Sequence, residues 1–198
     1  MITAIIGHDH FLVWSLPSRT AQALAPGLVP WTENGHGFLL FAAAEFRHWR
    51  CHGLPGLGRL RVAGWLIPCQ VPSNRIGNAV IKRFIDHALL PLGRTRVRID
   101  STGVVMAGVA AGHRLSGPTR DPLAWFDRDR CGLMPSRRGW RRWPLAKCDW
   151  AWTVHPASLH STWAESLDAR PLGMITVAPT LSIWATARPI ATLTRQAP

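Results

Sequence analysis

The stretch Gly37-Phe38-Leu39-Leu40-Phe41-Ala42-Ala43-Ala44-Glu45-Phe46-Arg47-His48-Trp49-Arg50-Cys51 decides the fold class. Its first eight residues, Gly37 to Ala44, are the longest apolar run in the chain. A membrane-spanning helix needs about 18 such residues, so this run reads as a long strand. A Gly/Pro-rich turn from Gly53 to Gly58 follows, and Arg59 to Gln70 returns as a second strand that pairs with the first.

Working outward, Phe11 to Trp14 is a short apolar strand. Ser18 to Leu24 is a short helix, entered after Pro17 and stopped by Pro26-Gly27. Ser73 or Asn74 caps a helix that runs to about Leu89, because Ile76, Ala79, Val80, Phe84, Ala88 and Leu89 fall close to a 3.6 period. Arg94, Arg96, Arg98 and Asp100 then alternate with Thr95, Val97 and Ile99, which is a strand pattern. The Ser101-Thr102-Gly103 turn leads it into Val104 to Ala111. Asp121-Pro122 opens a short helix through Phe126. Cys148 to His155 is a strand, and Pro156 to Leu167 reads as a helix with Leu159 and Trp163 spaced by four. Met174 to Val177 and Leu181 to Ala187 close the chain as strands. One domain, residues 1–198, of a β-rich α+β class with a few flanking helices accounts for this order.

Composition excludes several function classes. Hydrophobic residues are 47% of the chain, too many for a disordered protein. The formal net charge of +12 suggests a polyanion partner. Its distribution qualifies that: residues 47–98 hold ten bases against one acid, and no recognised nucleic-acid motif organises them. Twenty-one of the 23 bases are arginine; only Lys82 and Lys147 are lysine. The first residues carry no Lys or Arg, so no export signal is expected and a cytoplasmic location is. Cys51, Cys69, Cys131 and Cys148 lack metal-ligand spacing and read as reduced, buried thiols. His8 and His10 share a strand face, but nothing nearby completes a metal set, so no metal and no cofactor is expected.

The order of features resembles the uncharacterised YqjF-like family, within the acetoacetate decarboxylase-like β-barrels. The resemblance rests on Trp14-Ser15-Leu16-Pro17 before the first helix, Ala25-Pro26-Gly27-Leu28 after it, and the Gly37 strand with Phe46. It continues in Leu90-Pro91-Leu92-Gly93-Arg94, in Val154-His155-Pro156 and in Ile183-Trp184. It implies a closed antiparallel barrel around a mostly apolar pocket. In the decarboxylases a lysine after a Gly-x-Pro turn forms an imine with a keto acid. Leu92 and Gly93 stand at the corresponding positions here, and neither forms an imine.

The expected function is a small-molecule enzyme of lyase, hydratase, isomerase or cyclase type, without a Schiff-base lysine. Its ligand is an apolar compound bearing a carbonyl or carboxylate. Glu45, inside an apolar strand, is the candidate general acid or base, because burial raises a carboxyl pKa unless the group is paired. The competing reading has Glu45 mark the strand's exit into solvent and pair with Arg47 or an arginine of the adjacent strand. His155, before Pro156, is the candidate proton shuttle. Arg83, Arg94 and Arg96 are candidate anion clamps, and Trp65 and Trp152 candidate pocket walls. The Arg/Trp-rich segment 128–147 offers a lid, a polyanion surface or an exposed hairpin. A non-catalytic binder is the first alternative and a nucleic-acid binder the second. A homo-oligomer is expected if an apolar strand edge is left exposed.

Overall fold

The run after Gly37 is continuous because its strand is buried on both faces. Leu39, Phe41 and Ala43 are fully buried in one core, while Phe38 and Leu40 belong to a second core on the other side. A strand covered on both faces needs no polar alternation.

The computed structural model describes residues 2–52, 54–56, 58–71, 75–87, 97–100, 103–106, 109–113, 130–137, 139–148, 151–178, 180–184 and 188–189. In chain order the elements begin with β1 (Ile2–Pro17), α1 (Ser18–Leu24), β2 (Val29–Pro30), β3 (Thr32–Glu33) and β4 (His36–Cys51). They continue with β5 (Leu54–Pro55), β6 (Leu60–Val71), β7 (Arg75–His87), β8 (Arg98–Asp100), β9 (Gly103–Met106) and β10 (Val109–His113). The last are β11 (Arg130–Ser136), β12 (Gly139–Cys148), β13 (Trp152–His155), β14 (Ala157–Ser161), α2 (Thr162–Glu165), β15 (Arg170–Val177), β16 (Thr180–Trp184) and β17 (Arg188–Pro189). No helix among the described residues is long and apolar enough to cross a membrane.

Among these residues the strands form a 13-stranded sheet and a 4-stranded sheet. In the large sheet β1 pairs β4 on one edge, and β16 then β15 on the other. β4 also pairs β6, as the sequence predicts, and β6 pairs β7. β11 joins β7 in parallel, which departs from the all-antiparallel arrangement expected. The small sheet runs β14-β10-β9-β8. Its Val104, Met106 and Val109 share one core with Leu12, Phe41 and Trp65 of the large sheet.

The helix expected from residue 73 or 74 to 89 is instead strand β7, and the physical reason is a bulge. Trp65 opposes Lys82 and Leu66 opposes Val80, which leaves Ile81 as an extra residue. Ile76 and Val80 pack on one core, and Ala79, Ile81 and Phe84 on the other. Burial on both faces plus one inserted residue imitates a helical spacing. Where a helix is expected over 156–167, Ala157–Ser161 is instead strand β14. Only Thr162–Glu165 is helical, capped by Ser161, whose Oγ accepts from the Ala164 N–H at 3.2 Å. The strand pairing expected on either side of the turn is present, with Asp100 opposite Gly103, while residues 101 and 102 lie outside the described residues. Segment 128–147 contains the hairpin of β11 and β12. The helix expected over 121–126 lies outside the described residues. Cys69 and Cys131 are buried free thiols, and burial pushes Cys69 up to about 12.

Gly64, opposite Lys82–Arg83, marks a close backbone approach: a Cβ there would come within 2.8 Å of the Lys82 carbonyl oxygen. Backbone cannot swing aside as a side-chain tip can. Gly64→Ala is therefore expected to lower stability by about 1–3 kcal/mol in denaturant titration. Gly132→Ala, where the nearest heavy atom is 3.8 Å away, is the control and should be neutral or stabilising.

Candidate functional site

Pairing register arranges the inner face of β1, β4, β6 and β7 in rows. One row holds Leu12, Phe41, Trp65 and Lys82. The next holds His10, Ala43, Ala63 and Phe84. The third holds Glu45, Arg61 and Asp86. Directly opposed residues share a sheet face, so an apolar floor passes into a charged row two residues at a time.

Trp65 anchors the floor. Its ring lies 4.7 Å from that of Trp163, 4.9 Å from Phe41 and 5.4 Å from Trp14 between centroids, in tilted or edge-on contacts. These are the favourable aromatic geometries, and they tie α2 to the sheet.

Glu45 anchors the charged row. It is 1% exposed, and its two oxygens accept from two arginines: Oε1 from Arg47 Nε at 2.8 Å, Oε2 from Arg61 Nε at 3.1 Å. Burial alone pushes the carboxyl up. The hydrogen bonds and charges of Arg47 and Arg61 outweigh it, and the net direction is down from 4.5. The raised pKa expected of this residue is thus reversed; the competing reading's arginine pairing is present, but the exit into solvent that went with it is not, since the carboxylate is buried. Glu45 is an anion at neutral pH.

Gly7 makes the pair possible. Ile6 opposes Phe46 and His8 opposes Glu45, so Gly7 is the extra residue of a bulge. A Cβ at Gly7 would come within 2.8 Å of Arg47 Nε.

The same row holds the small sheet's first strand in place. Arg61 Nη1 donates to the Val97 carbonyl at 3.2 Å, and the Val97 N–H donates to Asp86 Oδ2 at 3.2 Å. His10 Nε2 donates to the Asp100 carbonyl at 2.7 Å. Three side chains from three strands thus satisfy backbone groups of 97–100, as ladder partners would. Arg61, itself steered by Glu45, is the hinge of this arrangement.

The remaining predicted site residues separate. His155, half-buried, bonds Thr176 Oγ1 at 2.7 Å. Its row contains Phe41, four residues from Glu45, and it lies three strands away. At about 3.4 Å per residue and 4.8 Å per strand that is roughly 20 Å along the sheet. Arg83 and Trp152 project to the opposite face: Arg83 opposes Gly64 and is exposed, and Trp152 packs with Val154 on the second core. Arg94 and Arg96 lie outside the described residues, as do Leu92 and Gly93. Trp140 of the basic hairpin packs on the main core, and its indole donates to the Pro26 carbonyl at 3.0 Å, so it is no free stacking platform. No group of three metal-ligating side chains occurs among the described residues. Sequence reasoning missed Arg61 and Gly7. Arg61 was findable, because pairing Gly37–Cys51 with Arg59–Gln70 sets it opposite Glu45 once the register is known. The Gly7 bulge had no such signal.

A carboxylate held down by arginines adds stability above its unfolded pKa. That stability is lost as pH falls from 4.5 through the lower folded value. Glu45→Gln is expected to lose about 1.5–3 kcal/mol at neutral pH, the worth of hydrogen bonds to charged groups. Its deficit against the parent chain should shrink as pH falls through the lowered folded value, where the parent's carboxyl is protonated too. Denaturant titrations of both proteins at neutral pH and at a series of acid pH values check this.

No family model matches the chain, and no curated protein matches it. Solved structures do. Acetoacetate decarboxylase from Legionella pneumophila subsp. pneumophila str. Philadelphia 1 superposes with a TM-score of 0.65 at 12% identity, over 98% of this chain and 88% of that one. The enduracididine biosynthesis enzyme MppR, complexed with pyruvate, gives 0.64 at 13% identity, over 98% and 92%. An acetoacetate decarboxylase-like enzyme from Sphingomonas wittichii RW1 gives 0.57 at 13% identity, over 97% and 94%. Identities this low carry the architecture and not the chemistry. The chain therefore has the β-rich fold of the acetoacetate decarboxylase-like proteins.

Proposed function

We propose that this protein is a small-molecule enzyme on an acetoacetate decarboxylase-like barrel, acting on a carbonyl- or carboxylate-bearing compound without a Schiff-base lysine. The observation that carries the reading is the buried Glu45 carboxylate aiming two guanidiniums, Arg47 and Arg61, whose side chains remain 40% and 33% exposed. Planar guanidinium forks suit a substrate carboxylate. Phe41, Trp65, Ala43 and Ala63, buried beside the charged row, give it apolar surroundings. Barrel closure is supported by the pairings β1–β16–β12–β11–β7–β6–β4, whose last strand pairs back onto β1. Placement in the YqjF-like family rests on the motifs quoted above.

Glu45 enters the chemistry as a base. A substrate carboxylate that takes over part of Arg47 removes a contact holding the Glu45 pKa down and adds a like charge beside it. Both effects raise its proton affinity in the complex. Enolising isomerase, hydratase and elimination-type lyase chemistry can each use such a proton transfer. His155, Arg83 and Trp152 are not assigned to this site, because they stand apart from Glu45 or on the other face. The two lysines do not supply an imine in this reading: Lys147 is on β12 opposite Ile183, and Lys82 is exposed on β7. A non-catalytic binder is the second reading, favoured by the full ion pairing of Glu45.

Two measurements test the proposal. Incubation with pyruvate and borohydride should leave the protein mass unchanged; a mass gain at Lys82 or Lys147 would restore the imine mechanism. A panel of 2-oxo, 3-oxo and unsaturated acids, followed by proton NMR, should show turnover of at least one compound. Glu45→Gln should abolish that turnover while the protein stays folded. Binding without product in every case identifies a binder.

A further inference from the structure

We propose that Arg142 anchors a separate binding site, for a small phosphate-type oxyanion, on the inner wall of the large sheet away from Glu45. β11 and β12 pair without a break from Cys131 opposite Pro144 to Ser136 opposite Gly139, and in that run Leu133 opposes Arg142. Leu133 is fully buried in the main core, and Trp140, two residues from Arg142, packs on the same core. Arg142 therefore faces inward with them, whereas its neighbour Arg141, opposite Met134, is on the outer face. The place is remote from the charged row. On this wall Leu133 aligns with Ala79 and Ala79 with Ile67, and Ile67 is six residues along β6 from Arg61, roughly 20 Å.

An inward arginine needs acceptors. Arg142 Nε is sealed from solvent and has no hydrogen-bond partner, and no carboxylate among the described residues pairs with the guanidinium. At the paired position on β17, where an acid would be the favourable residue, stands a second arginine, Arg188. A buried donor without an acceptor costs free energy, and so do like charges at one cross-strand position. An oxyanion there answers both, because it brings the acceptor and the negative charge together. The guanidinium fork matches phosphate geometry, and a dianion suits a position with two arginines. Arg142 is half-buried and not enclosed, so a small ion reaches it. Its inward face fits free phosphate or the phosphate group of a small molecule. A nucleic-acid backbone would instead meet the exposed Arg137 and Arg141.

Titration with inorganic phosphate at constant ionic strength, followed through the arginine side-chain Nε–H signals by NMR, tests this. The Arg142 signal should move saturably, with half-saturation at roughly 1 mM or below. Arg142→Gln should weaken phosphate about tenfold or more, Arg142→Lys should recover part of the loss, and Arg141→Gln should stay within about twofold of the parent. Arg142 makes no bond within the chain, so the Gln variant is expected to fold, and its amide spectrum away from β11 and β12 should match the parent's. A shift without saturation overturns the proposal, as does an Arg142→Gln variant that binds phosphate like the parent. Equal losses in Arg141→Gln and Arg142→Gln overturn it in favour of a polyanion surface. A response confined to Arg47 and Arg61 overturns it too, and places the anion beside Glu45. Acetate binding as tightly as phosphate overturns the choice of ligand.

Discussion

One carboxylate, buried and shared between two guanidiniums, organises the inner face of this protein. Removing Glu45 from water is unfavourable by several kcal/mol unless its lone pairs are satisfied. Arg47, one strand position away on the same face, and Arg61, directly across on the next strand, satisfy them. The consequence reaches beyond the pair. Arg61 cannot swing out while Glu45 holds its Nε, so its Nη1 is delivered to the Val97 carbonyl. Asp86, next in the same row, takes the Val97 N–H. The small sheet therefore begins where the large sheet's charged row ends. Gly7 is part of the same constraint, since a Cβ there would come within 2.8 Å of Arg47 Nε and the guanidinium would have to shift.

Much of the fold was legible in the sequence, and the failures have a common cause. β4, β6, α1 and the closing strands follow from apolar runs and their punctuation. The Asp100–Gly103 hairpin follows from strict alternation. β7 was misread because a strand covered on both faces, with Ile81 inserted as a bulge, has no period of two left to see. β14 was misread because Leu159 and Trp163 both reach the main core, but one from a strand and the other from the short helix after it. Periodicity reports which residues are buried, not which conformation buries them.

The candidate site was legible as one residue and not as a constellation. An acid inside an apolar run is conspicuous, so Glu45 stood out. Arg47, two residues on and on the same strand face, is readable as a partner, but Arg61 required the register, because it is one arginine among twenty-one. His155 looked equivalent to Glu45 in sequence, yet pairing through β1 and β15 carries it away along the sheet. The basic charge reads differently as well. Part of it is a small set on one face, opposed by Glu45 and Asp86, while the hairpin's Trp140 is committed to the protein itself.

The central claim is that Glu45 is an ionised carboxylate held by Arg47 and Arg61. Carbon-13 NMR of the side-chain carboxyl, followed through an acid titration of the folded protein, measures it most directly. The account predicts a single Glu45 titration with a midpoint below 4.5 that moves upward in an Arg61→Gln variant. A midpoint above 4.5 in the unaltered protein, or one indifferent to the loss of Arg61, would contradict it.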